Sequence, residues 1–288
     1  GWAFATGEQQ LERSLHSIGR DVGEISRILV THVHRDHYTQ AVSIRERYGA
    51  RVGLGENERP NLAEIQASIT RKRAPGNFEV LVRAGAAVLL AEIELMSTQD
   101  GQVWTDPDEW LTGGQVVAVG GRSLRAISTP GHTAGHLVFR DDDNALLFAG
   151  DHVLPHITPS IGFEPAAVRW PLRDYLDSLA LMKSEPDARL LPAHGPVTAS
   201  VHARVDELLA HHAKRLDDSR SVVERGATTS YQTALKLSWT RRGRAFDDLD
   251  RFNQCLAVLE TAAHLDVLVL QGRMTSTLVE GIERYVVT

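Results

Sequence analysis

Five histidines and two aspartates in four short stretches define the chemistry open to this chain: His32-Val33-His34-Arg35-Asp36-His37, His132, the Gly150-Asp151 step and His194. Imidazole nitrogens and carboxylate oxygens are the donors that zinc takes. Seven of them match two adjacent ions with coordination left open for water, unlike a closed structural site. A lone His-x-His pair could equally be two solvated loop side chains. Four such stretches in one chain are a far more specific signal.

The elements that must position these residues follow from the flanking sequence. Residues 25–30, Ile-Ser-Arg-Ile-Leu-Val, form a β-rich run that ends just before Thr31 and His32. Extended alternation points His32 and His34 the same way, with Asp36 and His37 on the turn into a helix expected to begin near Tyr38. One pair then faces one metal and the other pair a second. His132 lies in Thr129-Pro130-Gly131-His132-Thr133-Ala134-Gly135-His136, where Pro130 and Gly131 turn the chain sharply after a strand. Asp151 follows the apolar run 145–149, and Gly150 allows a close backbone approach. His194 ends the run 190–193 and precedes Gly195-Pro196. Four strand ends are therefore expected to converge on one point.

These motifs resemble those of the metallo-β-lactamase superfamily, and its glyoxalase II branch more than the antibiotic-degrading enzymes. The resemblance implies an α/β fold, the αββα sandwich, with His32, His34 and His132 on a first metal, Asp36, His37 and His194 on a second, and Asp151 bridging them. Zinc is the first candidate for the two divalent ions, and iron or manganese suits the same ligands. Two such ions about 3.5–4 Å apart lower the pKa of a bridging water towards neutrality and polarise an acyl or phosphoryl oxygen. Asp36 would orient the nucleophile and Asp151 would offset the charge between the ions, which makes these two the candidate catalytic residues. The leading expectation is a binuclear hydrolase of a small-molecule thioester or ester. The alternative is a nuclease or phosphodiesterase using the same site, and a non-enzymatic scaffold is the weakest reading. Members of this family carry amino-terminal strands ahead of the first motif. Here the chain begins Gly1-Trp2-Ala3-Phe4, without Met and without those strands, so a leader peptide is not legible.

Further histidines are expected to do other work. His136 reads as a packing or supporting residue, since His132 already fills the ligand position. His152 and His156 either line the pocket floor or satisfy a loop backbone, and His202, His211, His212 and His264 read as surface or core residues. The acidic turn Asp141-Asp142-Asp143-Asn144 lacks the spaced ligands and terminal Glu of a calcium loop and reads as a solvated turn.

Composition agrees with an enzyme. With 288 residues, 42% hydrophobic and 24% charged, the chain can bury a large core, and its net charge is −6. The single Cys255 rules out an internal disulfide framework and a Cys-based zinc site, and suits a reducing, cytoplasmic setting. No apolar run reaches the roughly 18 residues of a membrane span. A catalytic domain is expected over 1–200, with helices over 8–18 and 38–48, the latter stopped by Gly49. Helical patterning at 62–71 and 78–96, then a polar stretch at 97–108, make 56–110 a helical cap near the site mouth, with a remote packing insertion as the alternative. Hairpins follow at 115–129 and 136–151, then a helix opened by Trp170-Pro171.

Residues 201–288 read as helices at 201–217, 219–225, 231–237 and 249–265, then a β-like end, similar to the winged-helix domain appended to some members of the superfamily. Such domains can bind nucleic acid, yet this one carries 12 Lys and Arg against 12 Asp and Glu, without a basic footprint. The exception is Trp239-Thr240-Arg241-Arg242-Gly243-Arg244, read as a solvated helix end whose arginines pair with Asp247, Asp248 and Asp250, or else as a contact for an anionic substrate tail. Nucleic acid is thus the disfavoured partner, a membrane is not expected, and a homo-oligomer stays open.

Overall fold

A computed structural model describes residues 1–71, 78–90 and 104–288. Parts of the helix expected at 78–96 and of the polar stretch at 97–108 lie outside the described residues. Two sheets form the centre. In the first, β1 (Arg27–Leu29), β2 (Arg51–Gly55) and β3 (Glu109–Leu111) run parallel in that order. In the second, β4 (Val116–Val119), β5 (Arg122–Ser128), β6 (Leu137–Asp141) and β7 (Leu146–Gly150) are antiparallel, and β8 (Arg189–Pro192) joins β7 in parallel. The end of the expected cap, β3, is thus a strand of the first sheet. Parallel pairing needs a crossover. That between β1 and β2 is α2 (Arg35–Tyr48), and that between β7 and β8 contains α5 (Pro171–Ser184).

The helix α2 starts at Arg35 rather than near Tyr38, with His34 at its N-cap and Gly49 in the left-handed conformation closing it. Asp36 and His37 therefore sit in a first turn whose geometry is fixed, where an acidic side chain is also favoured by the helix dipole. Helix α1 (Ala5–His16) precedes β1, and α3 (Arg59–Arg71) and α4 (Phe78–Arg83) follow β2. Ala84 accepts the backbone N–H of Tyr231 at 3.0 Å and Arg83 pairs with Glu283, so α4 leans on the carboxyl-terminal region.

That region is α6 (Val201–Glu224), the short α7 (Ser230–Ala234), α8 (Arg251–Leu270) and the hairpin β9 (Met274–Val279) with β10 (Ile282–Val287). The break expected at 218 is absent, because Leu216, Ser219 and Val222 keep one buried helical stripe running through it. Residues 267–270 extend α8 rather than form a strand. Val205, Leu208, Leu265 and Leu268 share a core with Leu147, Leu190 and Tyr175, so the carboxyl-terminal helices pack against the second sheet. Each such Leu contributes roughly 1.5–3 kcal/mol by leaving water. Among the described residues α8 alone is long and apolar enough to cross a membrane, and most of it is buried against this core.

The acidic turn is not simply solvated. Asp141 is buried and accepts the Asn144 backbone N–H at 3.1 Å, and Asp142 pairs with Arg125 and Arg140. The arginine run is likewise no helix end. Trp239 and Arg244 exchange backbone hydrogen bonds at 2.8 and 2.7 Å across a tight turn, with Thr240 at φ 62°. Asp248 instead accepts from Ala245 N–H, and Asp250 caps α8 through Asn253 N–H. Trp239 itself turns inward beneath Arg215, whose guanidinium lies 4.0 Å from the ring centroid.

Candidate metal centre

All seven candidate ligands meet at one end of the two sheets. His32 follows β1, Asp36 and His37 lie in the first turn of α2, His132 in the β5–β6 loop, Asp151 directly after β7 and His194 just past β8. The local sequence explains the approach. Gly150 has φ 51°, and a Cβ there would lie 2.8 Å from both Thr31 Cβ and His136 Nε2, so only glycine lets Asp151 reach the centre. Gly135 serves the neighbouring loop, since a Cβ on it would lie 2.3 Å from the Glu58 backbone nitrogen.

The candidate ligands fall into two groups, joined by a third cluster of His32, His37 and Asp151 whose donor atoms also lie close enough to share one cation. In the first, His32 Nε2 is 3.1 Å from His34 Nδ1 and 3.3 Å from His132 Nε2. His132 Nδ1–H donates to the Ser160 carbonyl at 2.8 Å and His34 Nε2–H to the Phe163 carbonyl at 3.3 Å. Those outward bonds fix the tautomers and aim the lone pairs of His132 Nε2 and His34 Nδ1 at His32. A single proton on His32 Nε2 is the most the three can share, whereas a cation satisfies every lone pair. Burial keeps all three neutral: His34 falls to about 3, chiefly by burial and then by the His132 and His37 imidazoles, and His32 and His132 are lowered by the same cause.

In the second group, Asp36 Oδ2 lies 3.3 Å from His194 Nε2 and 3.4 Å from His37 Nε2. Asp151 spans both groups: Oδ1 is 3.5 Å from His37 Nε2 and 3.4 Å from His194 Nε2, and Oδ2 is 3.6 Å from His132 Nε2. Asp151 and Asp36 together raise His194 to about 10. Burial opposes ionisation of both carboxyls, yet His194 and His37 draw them below the ordinary carboxylate range. Burial also opposes protonation of His37, but the two carboxylates outweigh it and raise that group. This half of the centre therefore calls for positive charge. His37 Nε2 and Asp151 Oδ1 are buried without a good hydrogen bond. Donor type, lone-pair direction and charge all fit cations at these residues.

His136 is engaged on both ring nitrogens. Its Nε2 accepts the Asp151 backbone N–H at 3.2 Å, its Nδ1–H donates to Thr129 Oγ1 at 2.9 Å, and its ring stacks on His32 at 5.0 Å. His152 is buried behind the centre against Tyr175, which donates to its carbonyl at 2.9 Å, and burial lowers it to about 3. His156 is exposed on the following loop. His202 caps α5 through the Met182 and Glu185 carbonyls, and His212 and His264 form a buried pair at 3.1 Å.

Sequence reasoning missed a layer beneath the first group. Glu58 accepts the Val33 backbone N–H at 3.3 Å, the Thr133 hydroxyl and the Asn61 amide at 2.7 Å. Asn61 also donates to Glu164 at 3.0 Å, and Glu164 accepts the Ala134 backbone N–H at 2.8 Å. Burial raises Glu58, and Glu164 to about 8. Glu58 stands in the polar run Glu56-Asn57-Glu58-Arg59 at the start of the expected cap, and no spacing signal sets it apart.

Comparison with known proteins agrees with this geometry. The family model described as the metallo-beta-lactamase superfamily matches residues 3–194. A beta-lactamase-like protein 2 homolog of Caenorhabditis elegans is 38% identical over 106 residues, covering 37% of this chain and 33% of that protein. The lactamase-like protein nscB of Neosartorya fischeri is 36% identical over 113 residues, covering 39% of this chain and 32% of that one. The chain thus spans about a third of the length of these curated relatives. Among solved structures, a metallo-beta-lactamase family protein of Thermus thermophilus superposes with TM-score 0.78 at 27% identity, covering 99% of this chain and 87% of that one. A beta-lactamase domain protein of Burkholderia ambifaria gives TM-score 0.79 at 25% identity, with 100% and 82% covered. With its family model matched across the whole region that bears the seven candidate ligands, the chain belongs to the metallo-beta-lactamase superfamily.

Proposed function

We propose that this protein is a binuclear metal-dependent hydrolase of a small-molecule thioester or ester. The observation that carries the reading is Asp151, which turns one carboxylate oxygen to the three-histidine group and the other to the Asp36, His37 and His194 group. His32, His34 and His132 would hold one ion, Asp36, His37 and His194 the other, and Asp151 both. When bound, such a pair supplies a Lewis acid for the electrophile's oxygen and acidifies a water.

The protein's own groups do the rest. Asp36 and His194 are the partly exposed members, with side chains 33% and 44% accessible, so substrate approaches from their side. Asp36 Oδ accepts a hydrogen bond from the attacking water and points its lone pair at the acyl carbon. Asp151, held through its own N–H by His136, keeps the two histidine groups in register. Beyond His34, the Phe163 ring lies 5.9 Å away and meets Phe252 of α8 at 5.3 Å, an apolar wall suited to an organic acyl or thiol group. The nuclease reading finds less support, because Trp239 is buried and Arg241, Arg242 and Arg244 stand without an exposed aromatic beside them on their turn.

Zinc-loaded protein and its Asp151→Ala variant, assayed on S-lactoylglutathione, an acyl-coenzyme A, a simple ester and single-stranded RNA, test this. Thioester or ester turnover lost in the variant is the expected result. RNA cleavage alone would overturn it.

A further inference from the structure

The buried Glu58–Asn61–Glu164 layer touches only one half of the centre. Glu58 joins the turn between His32 and His34, through Val33 N–H, to the His132 loop, through the Thr133 hydroxyl. Asn61 carries the connection on to Glu164, and Glu164 to the Ala134 N–H of the same loop. Asn61 Oδ1 also accepts the Ala166 N–H at 3.0 Å, which ties down the segment whose Ser160 and Phe163 carbonyls orient His132 and His34. Every segment that presents or orients the three histidines is thereby fastened to the 3-10 turn Glu56–Glu58 and the first turn of α3 that follows it. Among the described residues none of these bonds reaches Asp36, His37 or His194.

We infer that Glu58, Asn61, Thr133 and Glu164 are positioning residues that set cation affinity at the three-histidine group while leaving the Asp36, His37 and His194 group unaffected. The reason is geometric. Glu58 and Glu164 are fully buried acceptors, 0% and 2% exposed, and Asn61 is their shared donor. A member removed therefore leaves buried partners unsatisfied and frees two loops at once. The segment that reads in the sequence as a cap over the substrate then acts, at its start, as the foundation of one metal site. This inference rests on the two-ion reading above.

The test uses the full chain stripped of metal and titrated with cobalt(II), followed by its visible absorption and by calorimetry. Thr133→Val deletes one hydroxyl at nearly constant volume, and Thr133→Ser retains it. His194→Ala, combined with each, isolates the three-histidine group. Wild type should bind two ions. Thr133→Val should weaken the three-histidine group by about 10–100-fold, the range typical of residues that orient ligands. Thr133→Ser should restore binding to within about twofold, with the other group unmoved in both. Asn61→Leu, which deletes the donor shared by Glu58 and Glu164, is the second variant and should act in the same direction. Wild-type binding of fewer than two ions would defeat the two-ion reading itself. Two ions bound, with Thr133→Val lowering the urea midpoint but not the affinity, would overturn the inference. Equal weakening of both groups would do so as well.

Discussion

Gly150→Ala adds one methyl group at the point where β7 delivers Asp151, and its cost can be worked from two separate sources. The residue sits at φ 51°, where an alanine loses roughly 1–2 kcal/mol. The new Cβ would also lie 2.7 Å from Thr31 Oγ1 and 2.8 Å from Thr31 Cβ and His136 Nε2, well inside van der Waals contact. Thr31 Cβ is anchored next to the backbone, and the His136 ring is locked by Thr129 and Asp151, so neither can swing away. Overpacking of this kind costs a further 1–3 kcal/mol or so, for a total of about 2–5 kcal/mol. The displaced group is Asp151 itself, so cation affinity and turnover should fall by at least about tenfold. Gly49→Ala is the control. It carries a left-handed φ of 76° with nothing within 4 Å of the added Cβ, and should show the strain alone. Urea unfolding and cobalt titration on the three proteins make the comparison. A Gly150→Ala protein no less stable than Gly49→Ala, with both ions bound normally, would refute the claim that this glycine is demanded by close approach to the centre.

Three further outcomes are expected. Chelation of the metals should lower the thermal midpoint and readdition of zinc restore it, each ion contributing about 4 kcal/mol when free metal exceeds its Kd a thousandfold; a midpoint indifferent to both treatments would remove the ions from the account of this fold. His212 and His264 stay neutral when folded, His264 at about 3 through burial, so only the unfolded chain takes up protons as pH falls below about 6.5. Stability should therefore drop from pH 6.5 downward by up to about 1.4 kcal/mol per pH unit per histidine, and a His212→Leu/His264→Leu protein with the wild-type slope in urea titrations at pH 7.5, 6.5 and 5.5 would contradict this. Arg215→Leu removes the cation over Trp239 and the donor to the Ser238 carbonyl at 2.8 Å, and should cost about 1–3 kcal/mol by equilibrium unfolding, with an unchanged midpoint as the failing result.

The sequence by itself determined the donors and their local presentation. Histidine and aspartate at the ends of apolar runs, with Gly150 and the Pro130-Gly131 turn beside them, define ligand chemistry and strand-end placement from residue type and spacing alone, since both are properties of a few neighbouring residues. The helix after His37 was legible for the same reason, and was misplaced only at its first turn, because His34 at the N-cap makes no side-chain capping bond that could have marked the start. The single helix Val201–Glu224 and the β3 strand were less legible. What settles them is the face they bury against other elements, which no short window contains. Only the tertiary structure decided which oxygen of Asp151 meets which histidines, and that His136 Nε2 accepts the Asp151 backbone N–H. It also decided that Glu58 and Glu164, more than a hundred residues apart, share one amide. A glutamate in a polar run looks solvated until the fold removes its water. Burial and partners are properties of the assembled whole, and they turn an unremarked side chain into part of a site.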